Sequence, residues 1–153
     1  MTDKIILGID PGTKIMGYAL IRIHLRKSEL LQYGVIKLDK YKDHHLRLKK
    51  IQERMKELVN EFLPDEMAIE AQFFGKNVQS MLKLGRAQGI AIAACLEKDI
   101  PVVEYAPKKV KQSITGNGNA SKEQVADMIM REMGIQKKED FYLDSTDAIA
   151  VAL

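Results

Sequence analysis

Lys4-Ile5-Ile6-Leu7-Gly8-Ile9-Asp10-Pro11-Gly12-Thr13 decides how the rest of the chain is read. Ile5, Ile6, Leu7 and Ile9 form a short apolar run, rich in β-branched residues and bounded by turn formers. That is the pattern of a strand buried on both faces in the middle of a sheet. Asp10 ends the run, and Pro11 with Gly12 prevents a regular ladder from continuing. A carboxylate at the end of a central strand is costly to bury unless it meets a cation or a donor. Asp10 can meet that need by hydrogen-bonding the backbone of its own turn, as Asp often does before Pro-Gly. It can also do so by sharing a cation with other acids at the same sheet edge, so the remaining sequence must decide.

At 153 residues the chain is expected to form a single domain over 1–153, long enough to bury a sizeable core without staples. With 24 basic and 21 acidic residues the net charge is only +3, so partners must be argued from where charges lie. Cys95 is the single cysteine, which excludes an internal disulfide and a cysteine-based metal cage. It sits in the apolar run from Ile90 to Leu96 and reads as a core thiol. His24, His44 and His45 lack ligand spacing with one another and read as surface residues. Without a leader pattern or an apolar run near ~18 residues, a soluble chain in a reducing compartment is expected, with no membrane partner.

Gly17–Ile23 and Leu30–Leu38 read as strands joined by a turn at Arg26-Lys27-Ser28, antiparallel neighbours of the first strand. From Asp43 the period becomes helical, with Leu48, Ile51, Met55, Leu58, Val59 and Phe62 on one face and Pro64 as a stop. Met67-Ala68-Ile69-Glu70 is a second short apolar run ending in an acid. After a loop at Gly75–Asn77, a long helix is expected over Val78–Lys98, with Gly85 and Gly89 on one face inviting close approach. Pro101–Tyr105 reads as a strand, Pro107 to Thr115 as a lysine-rich helix, and Gly116–Asn119 as a flexible turn. Ser121 opens a further helix, and Leu143–Leu153 reads as a last, almost wholly apolar one. Three antiparallel strands followed by alternating helices and parallel strands predict an α/β fold: a mixed sheet with helices on both faces.

Asp144 and Asp147 lie three apart at the start of the last helix. They can serve as N-cap and first-turn acid. Yet Asp147 heads an apolar helix, as Asp10 and Glu70 close apolar strands, and acids that converge in a core demand a counter-ion. Hard oxygen ligands with water left over select Mg²⁺ or Mn²⁺. Two such ions ~4 Å apart suit phosphodiester hydrolysis. Between Lys76 and Lys111 seven positive residues (Lys76, Lys83, Arg86, Lys98, Lys108, Lys109, Lys111) face three negative ones, and Lys122 follows the Gly-Asn turn. Together they form a candidate phosphate-contacting surface, although each lysine alone is also what a solvated helix face would carry. Phe73 and Phe74 cannot both face one core, so one ring is free either to stack on an unpaired base or to anchor the loop.

In order along the chain, Gly-Ile-Asp-Pro-Gly-Thr, Ala-Ile-Glu-Ala-Gln-Phe-Phe, Tyr-Ala-Pro-Lys-Lys-Val-Lys-Gln and Asp-Ser-Thr-Asp-Ala-Ile-Ala-Val-Ala strongly resemble the RuvC family. These are bacterial Holliday junction resolvases with a ribonuclease-H-like fold. The resemblance runs from about Ile5 to the end. It implies that Asp10, Glu70, Asp144 and Asp147 are metal-binding catalytic acids, with two Mg²⁺ per subunit and Mn²⁺ able to substitute. It matches Phe73 to the aromatic that family members push into the junction centre, and Lys111 and Lys122 to residues contacting phosphates near the cut. It further implies four-way junction DNA as substrate, a homodimer in the bacterial cytoplasm, and RuvA and RuvB as partners in recombination and repair. Family members usually continue for a further helical stretch beyond the position of Leu153. Two other classes stay open on the residues alone. The Asp-Pro-Gly-Thr turn also occurs in sugar-kinase and actin-like ATPases, which need a second phosphate turn and a second domain, and a non-catalytic junction-binding module would share the basic surface.

Overall fold

The computed structural model describes residues 3–25, 27–71, 77–119 and 124. In chain order these form β1 (Lys4–Asp10), β2 (Ile15–His24), β3 (Lys27–Lys37), α1 (His44–Phe62), β4 (Glu66–Glu70), α2 (Val78–Leu96), β5 (Val102–Tyr105) and α3 (Pro107–Thr115). The strands make one sheet in the order β3-β2-β1-β4-β5. β1 is its centre: antiparallel to β2, and parallel to β4, which is in turn parallel to β5. The expected switch from antiparallel to parallel pairing is therefore present, and it falls at β1.

Alternation along β1 sends Leu7 and Ile9 to one face and Ile6, Gly8 and Asp10 to the other, and all five are buried. Leu7 and Ile9 join Met16, Tyr18, Leu20, Met67 and Ile69 in the main core, closed by Ile51, Met55, Leu58 and Val59 of α1. Ala87, Ala91, Ala94 and Cys95 supply the face of α2 that packs into the same core. Small residues there let α2 sit close, and burial pushes the Cys95 thiol up to about 11, consistent with a core thiol rather than a nucleophile. On the opposite face Ile6, Ala19, Ile21 and Ala68 are buried as well. The helix expected from Ser121 and the one at Leu143–Leu153 lie outside the described residues.

Helix ends follow their caps. Asp43 accepts from the His45 backbone N–H at the start of α1, and Asn77 from that of Ser80 at the start of α2. Leu63, left-handed at φ 48°, closes α1 just before Pro64. At the end of α3, Gly116 takes φ 78°, and the following turn is bonded: Asn117 Oδ1 accepts from the Asn119 backbone N–H.

One local expectation changes. The β2–β3 connection is tighter than Arg26–Ser28, because β2 runs to His24, β3 begins at Lys27, and Leu25 turns with φ 49°. Polar residues continue the hairpin in solvent through the Arg22–Glu29 ion pair, so hydrophobic pattern alone ends β2 too early and starts β3 too late. At Gly85 and Gly89, among the described residues, nothing lies within 4 Å of where a Cβ would sit.

Candidate active site

β1, β4 and β5 are parallel and end at one sheet edge. The register pairs Ile9 with Ile69, so the next residues, Asp10 and Glu70, stand side by side, and Glu70 pairs in turn with Tyr105. Equal parity in a parallel register puts the Asp10 and Glu70 side chains on the same face of the sheet. That face is opposite the one covered by α1 and α2. Asp10 is 7% exposed, and Glu70 is half-buried. Two carboxylates at neighbouring strand ends, one of them buried, are of the hard-oxygen donor type that a divalent cation takes. The donors are hard oxygens, without a thiolate or imidazole in the pair.

The turn after Asp10 is held from outside. The Lys14 carbonyl accepts from the Leu38 N–H (2.8 Å) and the Asp39 N–H (3.1 Å), where β3 gives way to α1. The Thr13 carbonyl accepts from Arg47 Nη1 at 3.1 Å, and Arg47 Nε donates to the Tyr41 carbonyl at 2.6 Å. Gly12 leaves no room for a side chain. The loop that follows the buried acid is thus locked to the first turn of α1.

Of the four acids picked out in the sequence, Asp10 and Glu70 come together, while Asp144 and Asp147 lie outside the described residues. Accordingly, no group of three or more His, Cys, Asp and Glu side chains gathers among the described residues. Phe73, Lys76 and Lys122 also lie outside them. Lys83 and Arg86 are exposed on α2, and Lys108 is exposed and Lys111 half-buried on α3, which starts two residues after Tyr105 at the same edge. Lys109 sits 5.9 Å over the Tyr105 ring.

Two further residues had no distinguishing signal in sequence. Arg47 looks like any polar-face residue of an amphipathic helix. His44, expected at the surface, is half-buried, with a buried Nε2 that finds no hydrogen-bond partner among the described residues. Burial of its ring, and then the positive charges of Arg86, Lys83, His45 and Arg47, hold its pKa below the ordinary 6.5. A histidine surrounded by cations from both helices stays neutral there. Among the described residues no helix is long and apolar enough to cross a membrane.

Residues 6–153 match the family described as crossover junction endodeoxyribonuclease RuvC. A protein of that name from Cytophaga hutchinsonii is 60% identical over 151 residues, covering 99% of this chain and 75% of its own. Its namesake from Bacteroides fragilis is 56% identical, covering 98% of this chain and 80% of its own. Among solved structures, Thermus thermophilus RuvC in complex with Holliday junction substrate superposes with a TM-score of 0.87 at 33% identity. That match spans 97% of this chain and 90% of the Thermus chain.

Proposed function

The chain belongs to the RuvC family of crossover junction endodeoxyribonucleases, structure-selective nucleases of four-way DNA junctions, and on that footing we propose the residues, cofactor and partners with which it works. Asp10, Glu70, Asp144 and Asp147 hold two Mg²⁺ per subunit, with Mn²⁺ as a substitute. Bound there, the ions supply Lewis-acid chemistry for in-line attack of water on a phosphodiester. The protein's own contribution is to fix the acids. Asp10 and Glu70 sit on strand ends whose preceding residues, Ile9 and Ile69, are fully buried. Lys111 or Lys122 offsets charge that develops on the phosphate. Lys76, Lys83, Arg86 and Lys108 contact the DNA backbone, and Phe73 stacks on an unpaired base at the junction centre. The products carry 5′-phosphate and 3′-hydroxyl ends.

Two symmetric nicks are most simply made by two sites related by a twofold axis, so the working form is a homodimer. α2 offers the contact. Val78, Leu82, Gly85, Gly89 and Leu96 recur at intervals that keep them on one helical face, opposite Ala87, Ala91 and Ala94. Val78, Leu82 and Leu96 are exposed large apolar side chains, and the two glycines are open. A second copy of α2 would cover that stripe. The enzyme acts as a single domain in the bacterial cytoplasm, where its substrate lies, with RuvA and RuvB as branch-migration partners.

The observation that carries this reading is the pairing of Ile9 with Ile69, which delivers Asp10 and Glu70 to one place. The test is cleavage of a synthetic four-way junction in Mg²⁺ by the wild type and by Asp10→Asn. Paired, symmetric nicks by the wild type are expected, and a loss of more than about 100-fold in the variant, since even outer partners of metal ligands are worth 10- to 100-fold. Junction binding in Ca²⁺ or EDTA persists in Asp10→Asn. Surviving cleavage would overturn the metal site, and random duplex cutting would overturn the junction specificity.

A further inference from the structure

We propose that Arg47 is a positioning residue for the metal-binding acid Asp10, acting through the backbone of the turn that follows it. The inference rests on Asp10 being a metal ligand, and it adds a residue that touches neither metal nor DNA in order to act.

Arg47 is half-buried in the first turn of α1 and spends its guanidinium on backbone. Nη1 donates to the Thr13 carbonyl, three residues after Asp10, and Nε donates to the Tyr41 carbonyl in the segment leading into α1. Among the described residues it forms no salt bridge. The guanidinium is planar and rigid, so two bonds from different nitrogens fix the separation and the angle between the carbonyls they reach. Arg47 therefore sets the Asp10–Lys14 turn relative to the 38–43 segment.

A second attachment makes this a constraint rather than a chance contact. The Leu38 and Asp39 N–H groups both donate to the Lys14 carbonyl, and the Tyr41 N–H donates to the Leu38 carbonyl. The turn is thus held at Lys14 by the end of β3, at Thr13 by α1, and at Asp10 by the β1 ladder. Gly12 cannot relax it, because the space a side chain would need is filled by backbone. Arg47 is the only one of these attachments made by a side chain. Removing it leaves two partly buried carbonyls without their donor and frees Thr13 to move, with the Asp10 carboxylate behind it. Displacing a reacting or ligating group by ~1 Å costs on the order of 100-fold.

The test compares Arg47→Lys and Arg47→Ala with the wild type and Asp10→Asn, in the full chain. Three readouts apply: Mn²⁺ binding to DNA-free protein by electron paramagnetic resonance, junction affinity in Ca²⁺, and cleavage against Mg²⁺ concentration. Both Arg47 variants should bind Mn²⁺ about 10-fold more weakly and need correspondingly more Mg²⁺ for half-maximal cleavage, the size seen for groups that orient metal ligands. Junction affinity in Ca²⁺ should hold for Arg47→Lys, which keeps the charge. Added methylguanidinium should restore part of the cleavage lost in Arg47→Ala, whereas methylammonium should not. Wild-type metal binding in Arg47→Lys would overturn the proposal, because charge without the fork would then suffice. Should Arg47→Ala not fold, Arg47→Lys alone decides the matter. If Asp10→Asn itself keeps Mn²⁺ binding and cleavage, the metal site fails and the Arg47 role with it. If Asp10→Asn loses both while Arg47→Lys loses neither, only the Arg47 role fails.

Discussion

A Cβ added to Gly12 would lie 2.0 Å from the carbonyl oxygen of Ile15, inside the radius that any carbon atom requires. Two residues past the buried Asp10, the chain turns so tightly that backbone occupies the place of a side chain. Gly12→Ala must open that turn, against bonds that hold Lys14 from Leu38 and Asp39. The expected cost is ~1–3 kcal/mol, as for other substitutions that overfill a packed site. It is read as a lower urea midpoint with an unchanged m-value, together with reduced cleavage. A midpoint equal to that of the wild type would show that the turn is not constrained.

Acid should destabilise the fold through His44. Its pKa is held below the ordinary 6.5 in the folded state, so at pH values under 6.5 the unfolded chain binds more protons than the folded one. Stability from this site is present in full above about pH 6.5 and is lost as pH falls through the lowered folded value. His44→Gln, which cannot be protonated, should narrow the difference in urea midpoint between about pH 7.5 and about pH 5.5. An unchanged difference would mean that His44 does not titrate against Lys83, Arg86, His45 and Arg47.

At the alkaline end the sensitive group is Cys95. Burial raises its thiol from 9.0 to about 11, so the folded state keeps a proton that the unfolded chain releases. The contribution is present below pH 9 and is lost as pH rises through about 11, a swing of about 2–3 kcal/mol. Cys95→Ala should flatten stability over that interval. The wild-type thiol should react with a disulfide reagent at neutral pH only as fast as the protein opens.

A charge on the open face of α2 tests the dimer. Leu82 is 59% exposed, so Leu82→Glu should leave the folded subunit within ~0.5 kcal/mol of the wild type. In a dimer closed through this stripe the same carboxylate would be buried beside its symmetry mate. Sedimentation should then show monomers, and junction cleavage should shift from paired to single nicks. A stable Leu82→Glu dimer would place the subunit contact elsewhere.

Much of the architecture could be read from residues because period and punctuation agree. Apolar period brackets α1 and α2 closely, and the run ending in Asp10 is the central strand that its composition suggests. The β2–β3 hairpin was legible only in part, since Arg22, Glu29 and Lys27 extend it in solvent, where no hydrophobic signal marks a strand. For the site, the strand endings gave Asp10 and Glu70 without saying that they are neighbours. That fact comes from the register of β1 with β4, a contact across 60 residues of sequence. Arg47 was not legible at all, because its partners are backbone carbonyls and carry no residue identity. His44 was misjudged for a related reason: its burial and the charges of Arg86 and Lys83 on α2 come from tertiary packing, which no local pattern announces.

Among the described strands β3 forms one rim of the sheet, and Leu31 falls between the paired residues Leu30 and Gln32, breaking the register against β2. An uninterrupted, flat rim of that length would template strand addition by another molecule, the first step toward fibrils. The bulge twists the rim out of a flat plane, and Lys27, Glu29 and Lys37 set charges along it. A protein whose copies gather on branched DNA is thereby guarded against assembling into longer chains through its exposed strand.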